Sequence, residues 1–171
     1  MPNQHASVPG RPADSVKSYA ETGRIFREYV ESDYGPVSKI LHESNLSLHL
    51  PDGLSCTTSP DAGATQIHLC ELHQEPIAVL QWRNLGEEAE ILNLAVPPRR
   101  RRQGHARFLL TNFLMLAREL RLRDIFLEVR ESNTAAIALY RTIGFIQSGR
   151  RPGYYRDPVE AAFLFQRELT D

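Results

Sequence analysis

The segment from Val96 through Pro97, Pro98, Arg99, Arg100, Arg101, Arg102, Gln103, Gly104, His105 and Ala106 to Arg107 is the stretch of this chain best suited to hold a polyanion. Pro97 and Pro98 lack amide donors, so the strand before them cannot keep pairing on both sides and must stop or splay. An apolar run of helical period follows directly. A helix N-terminus presents free backbone amides and a partial positive charge, and Gly104 with the small Ala106 lets an anion come close to that backbone. Neighbouring arginines add charge and paired donors. The physical reading is a pyrophosphate cradle, with a solvated arginine run or a nucleic-acid patch as the alternatives. The spacing is neither that of a P-loop nor that of a dinucleotide fold; it is Arg101-x-x-Gly104-x-Ala106.

A second set of chemically capable residues lies downstream. In Asp124 to Val129, a run rich in Ile, Phe and Val, alternation turns Phe126 and Glu128 to one face and Ile125, Leu127 and Val129 to the other. Glu128 falls at the C-terminal end, where open α/β sheets commonly bind ligands. On its own it also reads as a sheet-edge carboxylate paired to Arg130 or another arginine. Asn133 can cap a helix running to Ile143. Tyr140 follows seven residues later, two turns along the same helical face, and reads equally as a core tyrosine.

Arg101-x-x-Gly104-x-Ala106 at a strand-to-helix junction resembles the acetyl-coenzyme A signature of the GNAT acetyltransferases. The run from Leu127 to Tyr140, then Gly144-Phe145, resembles the C-terminal half of that family. Its RimI-type branch, the ribosomal-protein-alanine N-acetyltransferases, is most similar, and Arg150, Arg151, Tyr154, Tyr155 and Asp157 sit where that branch has Arg-Arg-x-x-Tyr-Tyr. The resemblance spans about Glu90 to Leu169. It implies acetyl-CoA as cosubstrate, held by the backbone of Leu94, Ala95 and Val96, by Arg101, Arg102, Gln103, Gly104, His105, Ala106 and Arg107, and by Asn133. It implies Glu128 as general base through a water and Tyr140 as the acid that protonates the leaving thiolate. For His105 an anion contact or an exposed side chain is expected. The branch usually has Gly where this chain has Ala106, the long Ser55 to Ala64 loop has no evident counterpart, and the branch's N-terminal residues are not evident.

These residues need a scaffold. Val16, Ala20, Ile25, Phe26 and Val30 predict a helix within Asp14 to Val30, and Val37, Ile40 and Leu41 a second one after Gly35-Pro36. Leu46, Leu48 and Leu50 read as a strand closed by Pro51-Asp52-Gly53. Gln66 to Leu72, Ile77 to Trp82 and Ala89 to Val96 predict an antiparallel meander. Leu109, Phe113, Leu116 and Leu120 mark a helix, with Gly144 ending the next one in a left-handed turn. Phe145 to Ser148 and Ala162 to Phe165 predict a final strand pair separated by a loop from Gly149 to Glu160. The fold class is α/β or α+β, a mixed, largely antiparallel sheet flanked by helices.

Length and composition fit this. With 171 residues, 42% apolar and 24% charged, the chain suits one domain over residues 13–171 behind a flexible tail over residues 1–12. No apolar run approaches the length of a membrane span, Met1 to Arg11 lacks the pattern of a secretory signal, and the expected location is the cytoplasm. Cys56 and Cys70 are too few for a disulfide framework and too isolated for a zinc site, and His42, His49, His68 and His73 form no ligand spacing, so no metal is expected. Charge is uneven: residues 1–96 sum to −7, residues 97–156 to +9 and residues 157–171 to −3. Such a field concentrates a polyanion on the middle segment. Three functions compete: acetylation of a protein N-terminus, with a ribosomal protein as the acceptor the resemblance implies; acetylation of a lysine or small amine; and a non-catalytic nucleic-acid or nucleotide module. Glu128 and Tyr140, which a binding module does not need, argue against the third, and no direct nucleic-acid partner is expected.

Overall fold

Three largely apolar stretches form the middle of the sheet, as their sequence pattern predicts. In the computed structural model, which describes residues 19–21, 23–46 and 63–169, they are β3 (Thr65–Leu72), β4 (Glu75–Asn84) and β5 (Glu88–Ala95). Before them come β1 (Tyr19–Glu21), β2 (Arg24–Glu28) and helix α1 (Tyr34–Glu43); after them come α2 (His105–Glu119), β6 (Asp124–Arg130), α3 (Thr134–Thr142), β7 (Ile146–Arg156) and β8 (Val159–Glu168). One eight-stranded sheet results, in the order β1-β2-β3-β4-β5-β6-β8-β7. Every neighbouring pair is antiparallel except β5 and β6, which are parallel and therefore need the crossover that α2 supplies.

Both faces are covered. On one, α2 lays Phe108, Leu109, Phe113 and Ala117 against Trp82, Ile91, Ile125 and Leu127, and α3 adds Ile137 and Tyr140. On the other, Val37, Ile40 and Leu41 of α1 pack on Ile67, Leu69, Val79 and Ala95. Gly35-Pro36 lies inside the first turn of α1 rather than ahead of it, where a missing proline amide is harmless.

The helix expected within Asp14 to Val30 is corrected by the structure: its described part is the hairpin β1–β2, turned at Gly23 with φ +75°, and β2 pairs along β3. The strand period is hidden because a charge occupies a buried position. Phe26 and Arg27 point to opposite faces and both are buried. Arg27 Nε donates to Glu71 Oε2 at 2.5 Å, while Nη1 and Nη2 donate to the Asp33 carboxylate at 2.6 and 2.9 Å. Such an ion cluster tolerates burial because both carboxylates bond to the one guanidinium. The loop expected over Gly149 to Glu160 is also corrected: β7 and β8 continue through it as one long hairpin, paired out to Arg156 and Val159. Its residues are almost all exposed, so no hydrophobic alternation announces the strand.

Leu46 follows α1 and packs on the α1-side core, while the rest of the strand expected to Leu50, the tail over residues 1–12, Cys56 and all but the end of the Ser55 to Ala64 loop lie outside the described residues. His68 is structural: Trp82 Nε1 donates to its Nδ1 at 3.1 Å and Phe26 stacks on it at 4.7 Å. Burial pushes its pKa down to about 4, so the ring stays neutral and free to accept. Cys70 is buried, with its thiol pushed up to about 12.

Candidate active site

A gap in the sheet sets the geometry. Parallel pairing of β5 with β6 runs from Glu88–Asp124 to Ile91–Leu127 and ends there. At that level β5 carries a bulge: Trp82 of β4 pairs Ile91 and Gln81 pairs Asn93, leaving Leu92 as the extra residue. The bulge bends β5 away, so Asn93 to Ala95 keep β4 as partner but have none on the β6 side. The sequence expectation that Pro97 and Pro98 open the gap is thereby refined. Separation begins at Leu92, and the prolines prevent re-pairing, Pro98 opening a short 3-10 turn to Arg100. Leu94 and Ala95 lie on this stretch of β5, and Val96 follows it.

Beyond the turn, Arg102 at φ +62° and Gly104 at φ +81° fold the loop back into the start of α2. No side chain caps α2, and its first internal bond is Phe108 N–H to Gly104 O at 2.9 Å. The amides of His105, Ala106 and Arg107 therefore face out of the helix end unclaimed by that ladder, the arrangement that receives an anion. A Cβ on Gly104 would meet Arg24 Nη1 at 3.4 Å, so Gly serves both the turn and the close approach.

The loop arginines divide their tasks. Arg101 Nε donates to Val96 O at 3.0 Å, tying the loop to the end of β5, and Arg107 Nη2 donates to Thr142 Oγ1 at 3.1 Å, tying α2 to α3. Gln103 Nε2 donates to Arg99 O at 3.2 Å. Arg102 is exposed. His105 is buried rather than exposed, against one of the two expectations for it. Its Nε2 lies 3.2 Å from Gln103 Oε1, its Nδ1 has no partner among the described residues, and burial, with Arg24 and Arg100 nearby, lowers its pKa. Arg24, on β2 and far away in sequence, joins the site with no local pattern to announce it. It lies over the Phe108 ring at 5.0 Å beside Gly104, adding a guanidinium to the helix end.

Across the gap, Glu128 is the first β6 residue past the last β5 pair, and β8 holds it from the other side through Leu164. Its Oε1 accepts from Arg151 Nη1 at 2.5 Å, and Tyr154 also bonds to it. The sequence alternative of an arginine-paired carboxylate is thus realised with Arg151, while Arg130 goes to Glu160 at 3.2 Å and to the Tyr155 ring at 4.1 Å. Asn133 caps α3 as expected, its Oδ1 accepting from Ala136 N–H at 3.2 Å. Tyr140 on α3 packs against Phe145 and Phe165, with ring centroids at 5.8 and 6.2 Å. Burial first, then Tyr155, raises its pKa well above the ordinary tyrosine value.

A sheet that parts beside an uncapped helix end defines a class of protein that seats an extended anionic ligand between two strands. Sequence comparison makes the class specific: the profile of the acetyltransferase (GNAT) family matches residues 26–145, and the chain belongs to that family. A [ribosomal protein bS18]-alanine N-acetyltransferase of Haemophilus ducreyi is 35% identical over 130 residues, covering 75% of this chain and 87% of the relative. Other relatives are covered less fully; that of Escherichia coli (strain K12), of the same name, matches over 47% of its length. Among solved structures, the ribosomal-protein-S18-alanine N-acetyltransferase from Escherichia coli superposes with a TM-score of 0.72 at 25% identity, covering 86% of this chain and 95% of that one. A GNAT family acetyltransferase from Elizabethkingia anophelis, solved with acetyl-CoA bound, shares the fold with a TM-score of 0.63 at 16% identity over 87% of this chain and 100% of that one. The protein is accordingly an acetyltransferase.

Proposed function

We propose that this enzyme transfers the acetyl group of acetyl-CoA directly to the α-amine of a protein N-terminus, with a ribosomal protein as the substrate class. The observation that carries the reading is the gap itself, with free β5 backbone on one wall, Glu128 on the other and the amide-rich start of α2 at its end. Family membership supplies the donor, and the relative matched over 75% of this chain supports the acceptor class.

The residues fit the cosubstrate. The His105, Ala106 and Arg107 amides, with Arg102 and Arg24 beside them, suit the pyrophosphate, and the β5 edge from Leu94 to Val96 suits the amide-bearing pantetheine arm as a strand-like partner. Asn133 stands at the start of α3 as a further contact. The acceptor nitrogen attacks the thioester carbonyl carbon, the amide C–N bond forms and the C–S bond breaks. Glu128 takes the amine proton through a water, and the departing thiolate takes the Tyr140 proton. Tyr140 is protonated throughout the neutral range, as the donor in this step must be.

The test offers acetyl-CoA with a mixed set of peptides bearing free α-amines, lysine side chains and small amines, and locates the label by fragmentation mass spectrometry. Labelling confined to α-amines is expected. Labelling of lysine or small amines overturns the acceptor assignment, and no transfer at all, with tight RNA binding instead, overturns the function.

A further inference from the structure

The carboxylate that faces the gap is already occupied by a cation of the chain itself. Arg151 reaches Glu128 from two strands away, across β8, where the register sets Arg151 level with Ala162 and Ala162 level with Arg130. Two strand spacings come to about 9.6 Å. Glu128 is level with Leu164, two residues along β8 from Ala162, so the long Arg151 side chain crosses that strand diagonally to reach it. Its neighbours are engaged elsewhere: Arg150 grips Glu131 through two bonds of 3.1 and 2.7 Å, and Arg130 holds Glu160 and the Asp157 carbonyl. Each of those two arginines has a carboxylate outside the gap. Arg151 instead pairs with Glu128, the first β6 residue beyond the last β5 pair.

An acceptor amine reaches this place as the same kind of ligand. An α-amine has a pKa of about 7.7–8.0, so at neutral pH most of it arrives as an ammonium ion, a +1 charge with N–H donors seeking a carboxylate. Glu128 presents one gap-facing carboxylate to both cations. Tyr154, which bonds to Glu128 and lies with its ring 5.8 Å from the Arg151 guanidinium, gives Arg151 a second resting place when it lets go.

We propose that Arg151 stands in for the acceptor ammonium on Glu128, so that every acceptor must displace it, and that Arg151 thereby sets the acceptor KM. The inference rests on the reading of Glu128 as the group that meets the acceptor. Arg151 is a positioning residue in this account: it holds the carboxylate aimed into the gap between turnovers and yields to substrate. Because the guanidinium is more than half exposed, the pair has the strength of a surface ion pair, enough to hold the carboxylate and weak enough to be displaced.

The experiment measures steady-state acetylation of a peptide that the wild-type enzyme modifies, at saturating acetyl-CoA, for Arg151→Gln and Arg151→Lys. Arg151→Gln is expected to lower the acceptor KM about two- to fivefold, with the change falling on KM rather than kcat and the KM for acetyl-CoA unmoved. Arg151→Lys, which keeps the cation, returns the acceptor KM towards wild type. An acceptor KM that is unchanged or raised in Arg151→Gln, with the melting temperature of wild type, overturns the proposal while leaving the function intact. Absence of transfer by the wild-type enzyme to any amine brings down both together.

Discussion

Replacing Glu128 by Gln lowers kcat/KM for amine acetylation by about 10²- to 10³-fold, the range for removal of a positioned general base. Gln keeps the volume and one acceptor oxygen but cannot take a proton. The substitution releases Arg151 and weakens the Tyr154 bond, yet Arg151 is exposed and its pair with Glu128 lies at the surface. The melting temperature should therefore stay close to that of wild type, because exposed pairs contribute little to stability. Acetyl-CoA affinity should also hold, since the helix end that receives the anion is on the far side of the gap. Full turnover by the Gln variant would remove Glu128 from its assigned role.

Tyr140→Phe is expected to lower turnover by about 10²-fold, from loss of the proton donor to the thiolate. The ring contacts with Phe145 and Phe165 survive the change, and the Tyr140 hydroxyl has no hydrogen-bond partner among the described residues. Stability should thus be unchanged or slightly raised, because no buried partner is left unpaired. That combination separates a chemical role from a structural one. A core tyrosine would show normal turnover in the Phe variant. The two variants together also distinguish the acid from the base: both should bind acetyl-CoA normally, while a defect in binding would point to the fold of the gap.

Residues that obey local rules were legible in the sequence. The meander β3–β5, the period of α2, the Asn133 cap and the left-handed Gly144 at φ +87° each follow from nearest-neighbour chemistry. What escaped depends on distant partners. Arg27 looks like a surface residue until Asp33 and Glu71 close around it, so β2 read as helix. β7 is exposed along nearly its whole length and pairs only with β8, so its hydrogen bonds left no apolar pattern. The origin of the gap was misplaced for a similar reason. Prolines are visible in sequence, whereas the bulge at Leu92 depends on how two strands meet. Arg24 joined the helix end only through the packing of β2 beside α2.

Amide hydrogen exchange with and without saturating acetyl-CoA tests the central claim most directly, that the cosubstrate lies in the gap opened at Leu92 with its phosphates on the start of α2. Protection is expected in two separated groups, the β5 edge from Asn93 to Val96 and the His105 to Arg107 amides, with little change in β3 or α1. Unchanged exchange at both, or protection confined to the exposed arginines without the β5 edge, would contradict the account.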